Sequence, residues 1–523
     1  MPATTLDGKM PIGFRDYSRG FFDDPLTIPL VKDIATATRL TIFCGAGISL
    51  DQSIPTWAGL VKALLHDKVV AHSSLEQADA DTACAALLEN FDYIPSATIV
   101  DDLFAHTHPD GMKARNSQIV EALYGKDPLR MRVGLRSPSL AESVLRLAIV
   151  FALDNRDVHI VTTNYDDVLE FAGMERSEIA SDLRSGGLAL KPYWDSAPPS
   201  HSPGTIPVVH VHGYLPRDKS NNHSEIVFSE HDYYQWEDRS PFRGYLDQRL
   251  SSGAFLIVGS SLSDSNILHR VLSARRSGST VVAVQPTQTE VARSKPIDRP
   301  FVYQLASYSE MRARSLGFQL LRPDFYGQVY QLLDEIRTCV AATDYKSYSD
   351  RITAWRAGFE PRFQDRDLRL SLTDQVREVV HNLSRKIGNG DRAKAEIWVR
   401  NPVERELQLW ISSQSTWLPG DYWVKSVKLS NARLLDQAVV GCFAMNAPTH
   451  GRMQPLDPDR WTHYYAVPLH MDSASGRFIA AVACMFFHSP AHQASDEIPA
   501  VVRRADEILS AWSDFGVQAL AGC

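Results

Sequence analysis

The 523-residue chain is long enough for two or three domains, since one hydrophobic core rarely spans more than about 300 residues. Its 44% hydrophobic and 22% charged residues are ordinary for a globular protein, and no apolar run approaches the roughly 18 residues that a membrane helix needs. The net charge is −8, of which residues 1–344 carry about −9 and residues 345–523 about +1. Because neither part has a basic surplus, we do not expect the chain to bind nucleic acid directly.

The cysteines and the N-terminal residues narrow the class of protein further. The first nine residues contain no apolar signal core, so the sequence predicts a cytoplasmic protein without a membrane anchor. The cysteines lie far apart and form no CxxC pair, which argues against a disulfide framework and against a Cys-rich zinc site. We therefore expect no bound metal. The six cysteines are Cys44, Cys84, Cys339, Cys442, Cys484 and Cys523.

A strand followed by a tight turn is predicted at residues 40–49. The β-prone run Leu40–Phe43 leads into Gly45-Ala46-Gly47, and Ser49 follows, in the order of a strand, a glycine turn and a helix start. Such a turn lets the backbone approach a phosphate closely, but it also occurs as a plain tight connection. The dinucleotide-binding fingerprint has a third glycine where this chain has Leu50, so the turn alone does not define a nucleotide site.

The stretch from about residue 58 to residue 153 is predicted to be helical. Its apolar residues recur at three- and four-residue spacing, with almost no strand-like alternation. Breaks are expected at Tyr93-Ile94-Pro95, at His108-Pro109-Asp110-Gly111 and at Ser137-Pro138. Because this stretch lies between two predicted strands, we interpret it as a helical insert that covers a sheet.

Four further apolar runs resume the strand pattern, at residues 158–163, 208–212, 255–258 and 280–284. Each run is largely continuous rather than alternating and is followed by polar residues, which is typical of central strands in a parallel sheet covered on both faces. Ligands bind at the carboxyl ends of such strands. The sequence therefore predicts a Rossmann-like parallel α/β sheet with a helical insert and a ligand site at that edge.

The composition changes after a helix predicted at about residues 325–340. Stretches at 345–350 and 362–369 suggest a linker, and apolar residues at helical spacing then predict a helix over 372–387. Strands are expected at 395–399, 406–411 and 464–469, the last joined by a turn to a strand at 478–487, and a final helix at about 500–512. We interpret residues 345–523 as a smaller α+β domain and residues 1–344 as the α/β domain.

Four strand ends resemble, in order, the motifs of the sirtuin-like (silent-information-regulator) NAD-binding domain over roughly residues 30–340. The resemblance implies that the first domain binds NAD on a Rossmann-like fold. The matching segments are Gly45-Ala46-Gly47-Ile48-Ser49, Asn164-Tyr165-Asp166, His212-Gly213 and Gly259-Ser260-Ser261-Leu262.

Two departures separate this chain from the protein deacylases of that family. It lacks the cysteine pairs that hold their structural zinc, and its glycine loop continues as Ser53-Ile54-Pro55-Thr56-Trp57 rather than Gly-Ile-Pro-Asp-Phe-Arg. Together with Phe228–Tyr233, these features resemble the bacterial anti-phage sirtuin-like effectors. This resemblance implies an NAD glycohydrolase that takes NAD as its substrate and causes abortive infection by NAD depletion. The alternatives are a non-hydrolytic NAD or ADP-ribose sensor and a protein-lysine deacylase.

The candidate site residues can be given roles in cleaving the nicotinamide–ribose bond, which generates an oxocarbenium-like centre. We predict that His212 transfers a proton and that Asn164 orients a water or the nicotinamide amide; the alternatives are a half-buried structural histidine and a turn-forming asparagine. Asp166 is predicted to accept a hydrogen bond from the ribose or the carboxamide. The loop predicted to contact the phosphates contributes Gly45, Ala46, Gly47 and Ser49. The contacts predicted on the adenosine side come from Gly259, Ser260 and Ser261, with Asn266 as an additional contact.

The second domain resembles a GAF-type sensor domain. Its N-terminal amphipathic helix and the hairpin of Tyr465–Leu469 and Gly476–Val482 carry this resemblance. The resemblance implies a regulatory pocket or an oligomerisation surface, with a packing appendage as the alternative. We expect a homo-oligomer that is restrained until a phage-derived or defence-system protein activates it.

Overall fold

The computed structural model describes most of the chain in two compact units. The first comprises the described residues within 29–285 and 304–322, and the second those within 15–28, 286–303 and 323–523. The predicted division at residue 344 stays a prediction. The described residues are 20–52, 54–72, 77–125, 139–199, 203–222, 224–262, 264–274, 279–287, 308, 310–342, 344–387, 392–402, 406–414, 426–429, 438–446, 448–452, 461, 463–473, 476–488 and 516–520.

The first unit contains a seven-stranded sheet in which every neighbouring pair of strands is parallel. The strand order is β3-β4-β2-β1-β5-β6-β7, so β1 lies at the centre between β2 and β5. This confirms the predicted Rossmann-like class. The strands are β1 Arg39–Cys44, β2 Asp157–Thr162, β3 Ala189–Tyr193, β4 Thr205–His210, β5 Ala254–Val258, β6 Thr280–Val284 and β7 Gln319–Leu321.

The five predicted strands are the buried ones, and the two strands that were not predicted, β3 and β7, lie at the sheet edges. Strand β3 contains Lys191 and Pro192 and keeps every residue at least partly exposed, so it lacks the continuous apolar run of a central strand. The run predicted at 208–212 is shifted, since β4 begins at Thr205 and ends at His210. His212 therefore lies in the loop after the strand.

Helices cover the sheet, and five of them form the predicted insert between β1 and β2. The break predicted at Tyr93-Ile94-Pro95 lies at Asp92, between a helix that ends at Phe91 and one that begins at Tyr93. Pro95 falls in the first turn of the second helix, where a backbone N–H has no intrahelical partner to lose. The break at Ser137-Pro138 lies outside the described residues. The insert helices are α2 Trp57–His72, α3 Gln77–Phe91, α4 Tyr93–Thr107, α5 Gly111–Tyr124 and α6 Leu140–Leu153.

The remaining helices up to residue 274 flank the strands, and one hydrophobic core lies against the central strands β1, β2, β4 and β5. Within the described part of the chain, we find no helix both long enough and apolar enough to span a membrane. These helices are α1 Thr27–Thr36, α7 Val168–Glu175, α8 Ser177–Ser185, α9 Glu230–Arg239, α10 Arg243–Leu250 and α11 Ser265–Ala274.

The second unit contains a six-stranded antiparallel sheet with the strand order β10-β9-β8-β13-β12-β11. The predicted hairpin is formed by β12 and β13, which pair along their whole length. The final helix predicted at about 500–512 lies outside the described residues. The strands are β8 Arg392–Asn401, β9 Glu406–Ser412, β10 Ser426–Lys428, β11 Thr449–Arg452, β12 His463–Ser473 and β13 Gly476–His488.

The linker suggested at residues 345–350 and 362–369 is wrong. Two helices occupy this stretch, α13 Tyr348–Gln364 and α14 Arg366–Ile387, after α12 Gly327–Ala341 and before α15 Ala438–Met445. Apolar residues lie between the charged ones and are buried in the second unit: Ile352, Phe359 and Phe363 of α13 are all buried. Exposed charges on one helix face therefore looked like a linker in the sequence.

Candidate active site at the carboxyl edge of the sheet

The loops that follow β1 and β5 pack directly against each other. Gly45 donates its backbone N–H to the Val258 carbonyl oxygen at 3.0 Å, and Gly47 donates to the Gly259 carbonyl oxygen at 2.8 Å. A Cβ atom added at Gly47 would lie 2.7 Å from the Cα atom of Gly259, which itself has φ of +64°. The glycines are therefore required first by the contact between the two loops.

No α-helix starts at this glycine turn, contrary to the sequence prediction. Two 3-10 turns follow β1, at Ala46–Ile48 and Leu50–Gln52, and the next α-helix begins at Trp57. The N–H groups of Ile48 and Ser49 donate within the turn, at 3.2 and 3.1 Å. Phosphate binding by these N–H groups would have to exchange bonds that are already made, so the cradling role of the loop stays a prediction.

Three predicted site residues form one buried hydrogen-bonded network beneath this loop. The Ser49 hydroxyl lies 2.9 and 3.0 Å from the two carboxylate oxygens of Asp166 and donates its single hydrogen there. Its oxygen accepts from Nδ2 of Asn164 at 3.2 Å, and the same Nδ2 lies 3.4 Å from the Gly45 carbonyl oxygen. Because Nδ2 faces these acceptors, the amide of Asn164 is held in one orientation, and Oδ1 takes part in neither contact.

The pKa of Asp166 is raised to about 6, chiefly by its burial. Hydrogen bonds from the Val168 backbone N–H and the Ser49 hydroxyl favour the charged form and oppose that rise, whereas the neighbouring Asp167 adds to it. The nearby thiol of Cys44 has a raised pKa, because it is fully buried and lies close to Asp166. The thiol is therefore not a nucleophile at neutral pH. Asp166, in contrast, can gain or lose a proton at a pH slightly below neutral.

His210 supports the backbone of Asn164 from behind. Its Nδ1 lies 2.9 Å from the Asn164 carbonyl oxygen, and its Nε2 lies 3.0 Å from Oε1 of Glu170. Burial lowers the pKa of His210, but the charge and hydrogen bond of Glu170 outweigh it and raise the pKa above its ordinary value. Since both ring nitrogens face acceptors, the protonated form of the ring is favoured. This histidine carries no family motif, and its distance from Asn164 in the sequence concealed the contact.

His212 is enclosed by aromatic rings in the loop after β4. Its ring meets the edges of Tyr233 and Trp236, with ring centroids 5.4 and 5.7 Å apart. The next residue, Gly213, has φ of +101°, and a Cβ atom there would lie 2.8 Å from a backbone carbonyl oxygen, so only glycine fits. Burial lowers the pKa of His212, and the Asp264 carboxylate, 3.7 Å from Nε2, partly opposes this. The ring is therefore neutral at neutral pH.

Asp167, the residue after Asp166, is held by a buried ion pair. It occupies the N-cap position of α7 but makes no side-chain capping bond, since its carboxylate forms a two-pronged pair with Arg217 at 2.8–3.0 Å. The guanidinium carbon of Arg217 lies 3.4 Å from the centroid of the Phe171 ring. The Asp167 backbone N–H donates to the Tyr124 hydroxyl at 2.8 Å. Tyr124, a residue of the helical insert, thus holds the backbone of Asp167 in place, next to Asp166.

The insert also holds the segment that follows His212. The side-chain amide of Asn116 donates to the carbonyl oxygens of Asn222 and Ser224 at 3.0 and 2.9 Å. The Thr98 hydroxyl accepts from the Glu230 backbone N–H at 2.9 Å. These contacts join α5 to the second half of the loop between β4 and α9, and α4 to the first residue of α9. The insert is therefore part of the scaffold of the site.

Most of the remaining predicted residues follow β5. The Ser260 hydroxyl accepts from the Leu262 backbone N–H at 3.2 Å, and its carbonyl oxygen accepts from the Gln285 side chain at 3.4 Å. Ser261 is exposed, and Ala46 on the opposing loop is partly exposed. Asn266 belongs to α11, but its side chain lies outside the described residues. Among the described side chains, no group of three or more His, Cys, Asp or Glu residues is placed to hold a metal ion.

Part of this chain matches the model of a known protein family. Residues 158–308 match the SIR2-like domain family model, a range that includes Asn164, His212 and Gly259 and excludes the loop after β1. A comparison with curated proteins finds no match. The chain is thus sirtuin-like in the part that carries the asparagine and histidine of the site, and its sheet is Rossmann-like.

Three solved structures resemble this chain over 60% of its length and 95% of theirs. One is a Sir2 enzyme from a study of Sir2 mechanism and regulation, with 13% identity and a TM-score of 0.30. Another is a mutant Sir2 homologue in complex with ADP-ribose, with 13% identity and a TM-score of 0.31. The third is a Sir2 homologue in complex with NAD, with 12% identity and a TM-score of 0.29.

Proposed function

We propose that this protein hydrolyses NAD to nicotinamide and ADP-ribose. The observation that carries the proposal is the buried network in which Ser49 and the Gly45 carbonyl hold the amide of Asn164 at the carboxyl edge of a parallel sheet. It lies at the edge where ligands of such sheets bind, and its Asn164 belongs to the range with a SIR2-like match. The SIR2 family uses NAD, so NAD is the substrate that this edge is expected to take.

The proposed chemistry needs one placed water and one proton acceptor. The bond between ribose C1′ and the nicotinamide nitrogen breaks, and its electron pair returns to the pyridine ring. The water oxygen bonds to C1′, and its proton passes to neutral His212. Oδ1 of Asn164 accepts a hydrogen bond from the water or from a ribose hydroxyl, because Nδ2 is already directed to Ser49. Asp166 accepts from the ribose.

The biological role that we propose is that of an anti-phage effector that stops an infected cell by depleting NAD. Support comes from the resemblance in sequence to anti-phage sirtuin-like proteins and from the helical insert between β1 and β2. Such an activity must be restrained until infection. The second unit, with its antiparallel sheet and GAF-like hairpin, is proposed as the sensor or oligomerisation domain through which an activator acts on a homo-oligomer.

The test is NAD consumption by the purified full chain, alone and with lysate of phage-infected cells. We expect nicotinamide and ADP-ribose to accumulate, and Asn164→Ala and His212→Ala to lower the rate at least about 100-fold. The matched controls are Asn90→Ala and His106→Ala, which change exposed residues of the insert and should keep full activity.

Each alternative function predicts a different result in the same assay. NAD binding without turnover under either condition would support a sensor. Nicotinamide release only in the presence of an acyl-lysine peptide would support a deacylase. Intact NAD with infected lysate, together with equal behaviour of all variants, would contradict the hydrolase.

A further inference from the structure

Asp264 lies in the loop between β5 and α11 and directs its two carboxylate oxygens to different partners. Oδ1 accepts the backbone N–H of Ile267 at 3.2 Å, in the first turn of α11. Oδ2 lies 3.7 Å from Nε2 of His212. The side chain of Asp264 is 18% exposed, whereas that of His212 is 2% exposed. One carboxylate thus faces both the helix start and the buried imidazole.

The groups that surround the His212 ring are two aromatic side chains and the Asp264 carboxylate. The rings of Tyr233 and Trp236 from α9 meet the imidazole edge-on, and the Tyr233 hydroxyl has a raised pKa because of its burial, so it stays neutral. Trp236 donates its ring N–H to the Val211 carbonyl oxygen at 2.8 Å, which fixes this wall. Among the described residues, the one charged group that acts on the pKa of His212 is the Asp264 carboxylate, which raises it.

An imidazole walled by aromatic rings is a poor site for a positive charge. Taking up a proton from the attacking water turns His212 into an imidazolium, and burial disfavours that form. A carboxylate close to one ring nitrogen compensates that cost and fixes the tautomer. When Nε2 carries the hydrogen and points to Oδ2 of Asp264, Nδ1 keeps its lone pair and can accept the proton. Such contacts are often long without substrate and shorten when it binds.

We propose that Asp264 is the positioning residue of His212, which sets its tautomer and stabilises the imidazolium during NAD cleavage. The inference rests on the proposed hydrolysis, since it assigns the partner of the proposed base. In sequence, Asp264 lies beyond the Gly259-Ser260-Ser261-Leu262 segment, and only the fold brings it to the loop after β4. The β5 side of the edge thereby contributes to catalysis as well as to substrate contact.

The two oxygens of Asp264 permit a clean test. Asp264→Asn keeps an oxygen that can cap α11 and removes the charge, whereas Asp264→Ala removes both. We expect Asp264→Asn to retain the melting temperature of the wild type and to lower kcat about 10- to 100-fold with little change in KM. The acidic limb of the kcat/KM profile should move to lower pH, because the imidazolium loses its stabilising charge.

A second measurement tests the contact between Asp264 and His212 independently of NAD hydrolysis. The ring pKa of His212 can be read by NMR of the full chain with isotope-labelled histidine, with His212→Ala used to assign the signal. A lower ring pKa in Asp264→Asn supports the pairing, even when NAD stays intact and the hydrolase proposal fails. An unchanged ring pKa and an unchanged pH profile in Asp264→Asn, with activity lost only in an unstable Asp264→Ala, would overturn the inference and leave Asp264 a helix cap.

Discussion

Replacing Gly47 by alanine tests whether the glycine turn is shaped by the contact between two loops. The added Cβ atom would lie 2.7 Å from the Cα atom and the carbonyl oxygen of Gly259. Ordinary contact begins at 3.4 Å, so the loops after β1 and β5 must separate by about 0.7 Å. Such overpacking costs about 1–3 kcal/mol in the free energy of unfolding. The 2.8 Å hydrogen bond between Gly47 and Gly259 would be strained as well.

The assay is thermal unfolding, with NAD binding measured in parallel. Each kcal/mol lowers the melting temperature of a domain of this size by about 2–4 °C, and NAD affinity should fall with it. Gly244→Ala is the control, because its Cβ atom meets nothing within 4 Å and alanine in α10 gains about 0.5–1 kcal/mol. A Gly47→Ala protein that melts with the wild type and binds NAD more weakly would refute the packing argument and favour a role in ligand contact alone.

Three other substitutions test the interior of the two units. Tyr124→Phe removes the acceptor of the Asp167 backbone N–H, so thermal unfolding should show a loss of about 1–3 kcal/mol, and an unchanged melting temperature would contradict this. The pKa of Asp166 is about 6 in the folded protein, against 3.8 for an unperturbed aspartate. The protonated side chain therefore stabilises the fold below pH 4, and this contribution is lost as the pH rises through 6. Denaturant melts at pH 4 and pH 7 should show a fall in the free energy of unfolding on the order of 2 kcal/mol for the wild type, and Asp166→Asn should remove that fall. Arg351→Met leaves the buried Glu335 carboxylate without its guanidinium and should cost about 3–5 kcal/mol, whereas adding Glu335→Gln should recover part of the loss.

The sequence alone was sufficient to predict the strands whose residues are continuously buried. Strands β1, β2, β5 and β6 are buried apolar runs, and their predicted positions agree with the structure to within a residue or two. The sequence alone was not sufficient to predict strands that are stabilised by pairing with a distant part of the chain. Strand β3, with Lys191 and Pro192, exists because it pairs with β4, and that pairing leaves no periodic signal in five residues.

The same limit applies to the site. Asn164, Asp166 and Ser49 could be picked out because each follows a strand, and the sheet does bring them together. The roles of Arg217 and His210 could not be found, because their partners are 50 and 46 residues away and no local pattern marks a buried ion pair or a ring facing two acceptors. Strand ends give positions, whereas hydrogen-bond partners depend on tertiary packing.

The missing third glycine of the turn follows from the missing helix. In dinucleotide-binding folds that glycine allows a helix to pack closely on the strand, and the helix N-terminus binds the pyrophosphate. Here the turn is followed by 3-10 segments, and Leu50 is 45% exposed. No helix N-terminus follows the glycine turn directly, so in the proposed reaction we expect the side chains of Asn164 and Asp166 to recognise the ribose. Contacts to the ribose next to the scissile bond would suit the proposed hydrolysis, in which NAD leaves as two products.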